Sequence, residues 1–421
     1  MAGAAVLKWR HPLVLLNTAM HELEETTRTL IALEDRYGAH NYHPLDVVVA
    51  RASGVWLYDV EGRRYLDCVS AYSAVNQGHC HPKIGAALLD QAQRVTLTSR
   101  AMRNDRMPEF LRRLTEICGY EMALPMNTGV DAVETAIKLA RRYGYEVRGI
   151  EQDRAEIVVF DNNFHGRTTA AVSASSTQEY RRNFGPHTPG FVHVPFGDYE
   201  ALAGALNEHT CAILIEPIQG EGGVIVPPDG YLKRAWGLCR EHRVLFMADE
   251  IQTGLGRTGD LFACDHEAVK ADVLILGKAL GGGYYPVSAV LSDARLLGLF
   301  KAGDHGSTFG GNPLGSAVAL AALNVIVEEH LPSRARYAGA KISSALRSLK
   351  APQIAEVRGR GLLIGIQLNV GARRFSEALL KRGILAKDTH ARVLRIAPPL
   401  VIEEPEIEFL VQTFAETIAR Q

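Results

Sequence analysis

Short apolar runs alternate with longer amphipathic stretches through the middle of the chain. Residues 156–161 (EIVVFD), 212–217 (AILIEP), 244–250 (VLFMADE) and 272–277 (DVLILG) are apolar, too short for helices and closed by polar or glycine-rich turns. They predict buried strands. Between them, residues 131–147 and 230–242 are helix candidates. Strand, helix, strand in this rhythm predicts βαβ units and a mostly parallel sheet covered on both faces, an α/β fold. Ligands of such sheets sit beyond the carboxyl ends of the strands. After about residue 315 the rhythm changes. An apolar helix at 314–330 leads into shorter strands at 361–368 and 393–400 and further helices, the pattern of a smaller α+β domain. The first residues offer a helix at 22–36 and a strand pair at 55–67 that turns at Glu61 and Gly62. The expected division is an N-terminal segment (1–65), a large domain (66–315) and a small C-terminal domain (316–421).

Charge narrows the partners. The 46 basic and 47 acidic residues of the 421 leave a formal charge of −1. That balance gives no support to nucleic acid or anionic membrane as a partner. Small molecules, or further copies of the chain, remain. The six cysteines are scattered without a Cys-x-x-Cys pair, which fits free thiols in a reducing, cytoplasmic setting. The apolar window 316–327 is too short for a bilayer and is broken by Asn324. The opening MAGAAVLKWRHPLVLLNTAM lacks a clear small-residue cleavage site, so either Met1 or Met20 can be the start.

The strand ends carry the candidate chemistry. Lys278 follows the apolar run 273–277 at once and is itself followed by Gly281, Gly282 and Gly283. A lysine held near apolar surface loses its proton and becomes an amine nucleophile able to form a Schiff base. Asp249 ends the preceding strand. Its neighbour Glu250 points to the opposite face, so the two are not a paired acid and base. A carboxylate about 4 Å from a pyridinium is worth roughly 4 kcal/mol, or about three pKa units. Lys278 as aldehyde carrier and Asp249 as partner of a ring nitrogen make an electron sink of the pyridoxal phosphate type. Asn127, Thr128, Gly129 and Val130 precede an amphipathic helix and offer a phosphate site. Thr308, in a second small-residue segment, could add to it. Phe164 can stack on a flat ring, and Arg167 can grip a carboxylate bidentately. Taken singly, each has a plainer reading: a helix cap, a solvated lysine, a core phenylalanine, a surface arginine.

Together, YGAHNYHPL, YSAVNQGHCHPKI, MNTGVDAVETAIKLAR, NFHGRT, EPIQGEGGV, DEIQTGLGRTG, LGKALGGGYYPVSAV, GSTFGGNPLG and VLRIAPPLVI resemble the class III pyridoxal-phosphate aminotransferases. They run in the family's order from about residue 37 to 402. The resemblance implies a fold-type I transferase and a homodimer whose partner lends Thr308 to the cofactor phosphate. It implies that Lys278 carries the cofactor, Asp249 faces the ring nitrogen and Gln252 the ring oxygen. Phe164 and Ile251 would flank the ring, and the Gly129 and Val130 backbone would hold the phosphate. Tyr42 and Tyr72 would wall the substrate pocket, Arg167 would take the carboxylate far from the reacting amine, and Glu221 with Arg395 would form a switch. The branch acting on the δ-amine of ornithine, with 2-oxoglutarate as acceptor, fits best. Lysine, γ-aminobutyrate and acetylornithine are the alternative donors. Two positions depart from the pattern. His165 stands where many ornithine enzymes carry tryptophan, and Asp388 replaces a common proline and is expected to affect a turn.

Rival readings have less behind them. Gly254, Gly256 and Gly259 spell the dinucleotide fingerprint of a nicotinamide oxidoreductase, but the residues after them start a helix poorly. His79 and His81 invite a metal reading without a second ligand pair, and a turn with hydrogen-bonded histidines accounts for them. No Gly-x-Ser-x-Gly elbow supports a serine hydrolase. A non-catalytic member of the fold would have no need of Lys278, Asp249, Arg167, Glu221 and Arg395 together.

Overall fold

A computed structural model describes residues 26–420. The chain divides into two units, the first comprising residues up to Arg51 together with Leu57–Arg64. Its helix, Thr27–Tyr37, is capped by Thr26, whose hydroxyl accepts the Thr29 amide at 3.3 Å. Residues 22–25 of the expected helix, and both candidate start residues, lie outside the described residues. The expected turn at Glu61 and Gly62 is closed by Asp59, whose carboxylate accepts the Glu61 and Arg63 amides at 3.0 and 2.8 Å.

The second unit holds the rest of the chain and is built on a seven-stranded sheet. Its strands are β1 (Met122–Met126), β2 (Glu156–Phe160), β3 (Phe191–Val194), β4 (Thr210–Ile215), β5 (Leu245–Asp249), β6 (Val273–Leu276) and β7 (Ser288–Ser292). The order is β1-β7-β6-β5-β4-β2-β3, and only β7 runs against its neighbours. Alternate strand residues enter two separate cores. Ile157, Val159, Leu214, Met247 and Ile275 meet Ala132, Val133, Ala136 and Ile137 of helix α1 (Gly129–Glu146). Val158, Phe160, Ile213, Phe246 and Leu274 share the other core with Ala235 and Leu238 of α2 (Tyr231–His242). Both faces are dry, so these strands read as continuous apolar runs without polar alternation. The two sheet edges were harder to see in the sequence. β1 contains Pro125, which an edge strand tolerates because its missing N–H need not enter a ladder.

Beyond helices α3 (Pro313–Glu328) and α4 (Leu331–Ser348) lies a second, antiparallel sheet. It contains β8 (Ile354–Arg360), β9 (Leu363–Leu368), β10 (Lys387–Thr389) and β11 (Val393–Ile396) in the order β8-β9-β11-β10. Asp388 sits inside β10, opposite Leu394, and not in a turn as expected. A proline there would lie in a strand, and here an aspartate 3.6 Å from Arg373 takes the place. The apolar window 316–327 falls within α3, which packs against the helices Pro82–Ala92 and Met107–Cys118. Among the described residues no single helix is long and apolar enough to cross a membrane.

The glycine fingerprint has a different use. Residues after β5 run in turns to a short 3₁₀ segment, Ala263–Glu267, so no helix opens on Gly254–Gly259. The loop instead surrounds Arg257, which is fully buried. Its guanidinium donates to Leu362 O (3.0 Å), Pro398 O (2.6 Å) and Asn76 Oδ1 (2.6 Å). Burial pulls its pKa down to about 9. One side chain thereby ties the loop after β5 to the β8–β9 turn and to the segment leaving β11. Replacement Arg257→Leu strands three acceptors and is expected to lower the unfolding free energy by roughly 2–5 kcal/mol. Urea denaturation measures this, and a loss under about 1 kcal/mol would remove the tie from the account.

Candidate active site

The carboxyl ends of β2, β4, β5 and β6 and the N-terminus of α1 surround one cavity of about 190 Å³. Gly129, Val130, Phe164, His165, Glu216, Asp249, Ile251, Gln252 and Lys278 are among its lining residues. Gly129 and Val130 open α1, where the helix offers their N–H groups no acceptor, and the dipole adds to the pull on an anion. Asp131 caps the same turn by accepting the Thr128 amide at 3.0 Å. Asn127, just before it, donates to Ser307 Oγ at 2.7 Å.

Lys278 follows β6 with a left-handed backbone (φ 44°). Burial lowers its pKa from the usual lysine value against the opposing pull of Glu221 and Asp249. The glycines that follow it allow close packing. A Cβ on Gly283, whose φ is +77°, would stand 2.5 Å from Val75 Cγ1.

Asp249 ends β5 and is 4% exposed. One of its oxygens lies 2.7 Å from His165 Nδ1, and the other accepts the Ile251 amide at 3.2 Å. His165 is itself buried and its Nε2 has no hydrogen-bond partner among the described residues. Burial pushes the His165 pKa down, but the Asp249 contact outweighs it and the net direction is up. Glu216, at the end of β4, accepts the Phe164 amide at 2.9 Å, and burial pushes its pKa up to about 7. Glu250 faces away, accepting the Cys264 amide at 2.8 Å. His165 and Glu216 escaped sequence reasoning as parts of the site. Their signals were position, each just past a strand that ends at the cavity, and membership of the segments NFHGRT and EPIQGEGGV.

A second cluster adjoins the first through Gln252, which donates to Glu221 Oε1 at 3.2 Å. Its own Oε1 is buried without a hydrogen-bond partner among the described residues. Gly220 makes room for this side chain, because a Cβ there would lie 1.6 Å from Gln252 Oε1. Glu221 Oε1 also accepts from Arg395 Nη1 at 2.5 Å. Burial alone would raise the Glu221 pKa, yet Arg395 holds it below the usual carboxylate range. Arg395, on β11, is 2% exposed and its Nη2 has no partner among the described residues. Its guanidinium stands 4.8 Å from the centre of the Tyr72 ring.

Tyr72 belongs to an unusual turn. Ser70, Ala71, Tyr72 and Ser73 have φ of 50°, 45°, 60° and 73°, four consecutive left-handed residues without a glycine. Such residues cost about 1–2 kcal/mol each. Asp67 offsets part of this by accepting the Val69 and Ser70 amides at 2.8 and 2.9 Å, and it is fixed in turn by His79 Nε2 at 2.7 Å. His81 goes elsewhere, to Glu329 at 3.1 Å, so the two histidines serve separate carboxylates.

Arg167 is exposed, with its Cζ 3.7 Å from the ring centre of Tyr180 and 5.5 Å from that of Phe164. Thr308 is exposed on the loop before α3 and is not among the cavity lining. Tyr42 is exposed and belongs to the N-terminal unit.

These groups suit pyridoxal phosphate. Two helix-opening amides suit an anion, a lysine of lowered pKa suits an aldehyde, and Gln252 Oε1 and His165 Nε2, buried without a partner among the described residues, mark a polar cavity. Comparison with known proteins agrees. The family described as aminotransferase class-III matches residues 37–418. An ornithine aminotransferase of Geobacillus sp. (strain WCH70) is 54% identical over 393 residues, spanning 93% of this chain and 99% of that one. A solved ornithine aminotransferase from Toxoplasma gondii, reported with pyridoxal phosphate at partial occupancy, superposes with a TM-score of 0.95 at 43% identity over 98% of each chain. An acetylornithine aminotransferase from Elizabethkingia anophelis superposes at 0.87, with 47% identity over 94% of this chain and 100% of that one. With motif order, sheet topology and cavity chemistry in agreement, the chain belongs to the class III aminotransferases.

Proposed function

We propose that the chain moves the δ-amino group of ornithine to 2-oxoglutarate, giving glutamate and the semialdehyde that cyclises to pyrroline-5-carboxylate. The observation that carries this reading is the 2.5 Å pair of Glu221 and Arg395 beside the Lys278 cavity. Bound pyridoxal phosphate supplies the electron sink and carries the amino group between the two half-reactions.

The chain supplies position and charge. Lys278 Nζ would hold the cofactor aldehyde and, when free, would take a proton from the substrate carbon and return one. Burial lowers its pKa and so favours the neutral amine that proton transfer needs. Asp249, held by His165, keeps a positive ring nitrogen protonated. Gln252 would meet the ring oxygen, Phe164 and Ile251 would flank the ring, and Gly129 and Val130 would hold the phosphate with their N–H groups, all five residues lining the cavity. Arg167 takes the carboxylate remote from the reacting amine.

The Glu221–Arg395 pair chooses which end of a substrate reacts. While Glu221 neutralises Arg395, no α-carboxylate is drawn beside Lys278, and ornithine enters δ-amine first past Tyr72, whose ring centre is 4.8 Å from the Arg395 guanidinium. When 2-oxoglutarate enters, Glu221 releases Arg395, whose free Nη2 and Nη1 take the α-carboxylate while Arg167 takes the distal one. Thr308 reaches the phosphate of a second subunit, a reading supported by its exposure here and by the exposed Phe309, Met102 and Leu89. A cytoplasmic setting is supported by six free cysteines, five of them buried. A boundary near residue 315 is part of the same reading, supported by the two separate sheets on either side of it.

A panel of amino donors with 2-oxoglutarate tests the reaction. Ornithine is expected to give the highest kcat/KM with pyrroline formation, and a preference for acetylornithine, lysine or γ-aminobutyrate would replace it. Borohydride reduction of the cofactor-loaded protein is expected to fix the cofactor mass on the peptide containing Lys278, and Lys278→Ala to abolish both label and turnover. Capture of the cofactor by apoprotein should extend to lower pH than reaction of an exposed lysine does, because burial lowers the folded-state pKa and the neutral amine persists to lower pH. Replacing Glu221 by alanine removes a charged hydrogen bond worth about 1.5–3 kcal/mol. The ratio of kcat/KM for glutamate over ornithine should then rise by about tenfold or more, and an unchanged ratio would rule out the switch. Sedimentation at micromolar concentration is expected to give twice the 46.0 kDa chain mass.

A further inference from the structure

Arg167 has no ion-pair partner among the described residues, yet its guanidinium is not loose. Its centre lies 3.7 Å from that of the Tyr180 ring, the distance of van der Waals contact. Phe164, which lines the cofactor cavity, meets Tyr180 edge-on, with centres 5.9 Å apart and planes at 82°, and stands 5.5 Å from Arg167. A guanidinium is planar with all five N–H groups in its plane. One that rests its face on a ring keeps that edge open for a carboxylate.

Tyr180 is itself anchored. It sits in a short helical turn, Gln178–Arg181, and Arg181 donates to Ser173 O at 3.1 Å and Ser175 O at 2.8 Å. Burial raises the phenol pKa, and nearby Glu221 acts in the same direction against Arg167, so the ring is neutral at ordinary pH. The contact is therefore cation on ring, not cation on phenolate.

We infer that Tyr180 is a positioning residue for substrate selection: by stacking on Arg167 it holds the guanidinium edge ready for the substrate carboxylate remote from the reacting amine. The inference rests on the reading of Arg167 given above. Ornithine and 2-oxoglutarate both present such a carboxylate, so Tyr180 acts in both half-reactions. An amine without any carboxylate gains nothing from it.

The test uses the cofactor-loaded enzyme with Tyr180→Phe, Tyr180→Leu, Tyr180→Met and Arg167→Ala. Tyr180→Phe keeps the ring face and is expected to match the parent. Tyr180→Leu and Tyr180→Met, the second retaining more side-chain bulk without a π face, should raise KM for ornithine and 2-oxoglutarate by roughly 3- to 30-fold, the size of a cation–π contact. Their kcat should stay within about twofold, since the contact concerns binding. Glutarate, a dicarboxylate that cannot react, should lose affinity by a similar factor in calorimetry. Turnover of 1,4-diaminobutane, which has no carboxylate, should be unaffected. Unchanged KM and glutarate affinity in both Leu and Met variants, or equal losses with 1,4-diaminobutane, would overturn the inference. Arg167→Ala separates the two claims. If it leaves KM for ornithine unchanged, the role of Arg167 fails; if it weakens binding while the Tyr180 variants do not, only the role of Tyr180 fails.

Discussion

Burial of an amine in the midst of carboxylates sets desolvation against charge attraction, and much of the site follows from that opposition. Lys278 stands under the influence of Glu221, Asp249 and Glu216, each of which favours its charged form. Desolvation wins against them because every carboxylate is already engaged. Asp249 is held by His165, Glu221 by Arg395 and Gln252, and Glu216 is driven toward its neutral form by burial. Remove any of these engagements and a carboxylate is released to pull on the lysine proton. The sheet makes the arrangement feasible, since neighbouring strand ends bring the groups together without long loops.

The two arginines differ in their surroundings. Arg395 is buried and paired, so an incoming carboxylate would have to displace Glu221 to reach it. Arg167 is exposed, lies over the Tyr180 ring and has no ion-pair partner among the described residues, so a carboxylate would meet it without displacing another. A buried charge paired with a protein carboxylate can discriminate, whereas an open one chiefly attracts.

Much of this could be read in the chain before its structure was known. The runs ending at Phe160, Ile215, Asp249 and Leu276 announced strands because both faces are dry, and their ends pointed to Asp249 and Lys278. β1 was obscured by Pro125, whose cost depends on its place at the sheet edge, a fact absent from local sequence. The loop of Gly254, Gly256 and Gly259 looked like a nucleotide cradle because glycines serve close packing as readily as phosphate contact. Its actual occupant is the buried Arg257. His165, Glu216 and Tyr180 are single residues with no motif of their own for the role. Their partners lie 84, 52 and 13 residues away, so only the fold joins His165 to Asp249, Glu216 to the Phe164 amide and Tyr180 to Arg167.

The sheet is sealed above and below by packed side chains. A large-to-small change inside it carries a penalty of about 2–5 kcal/mol, a large share of what holds a domain folded. The rims of its strands are under no such restriction. Divergence toward new amines is therefore channelled to a thin layer of loop residues, and an enzyme of this build can acquire a different diet without rebuilding its interior.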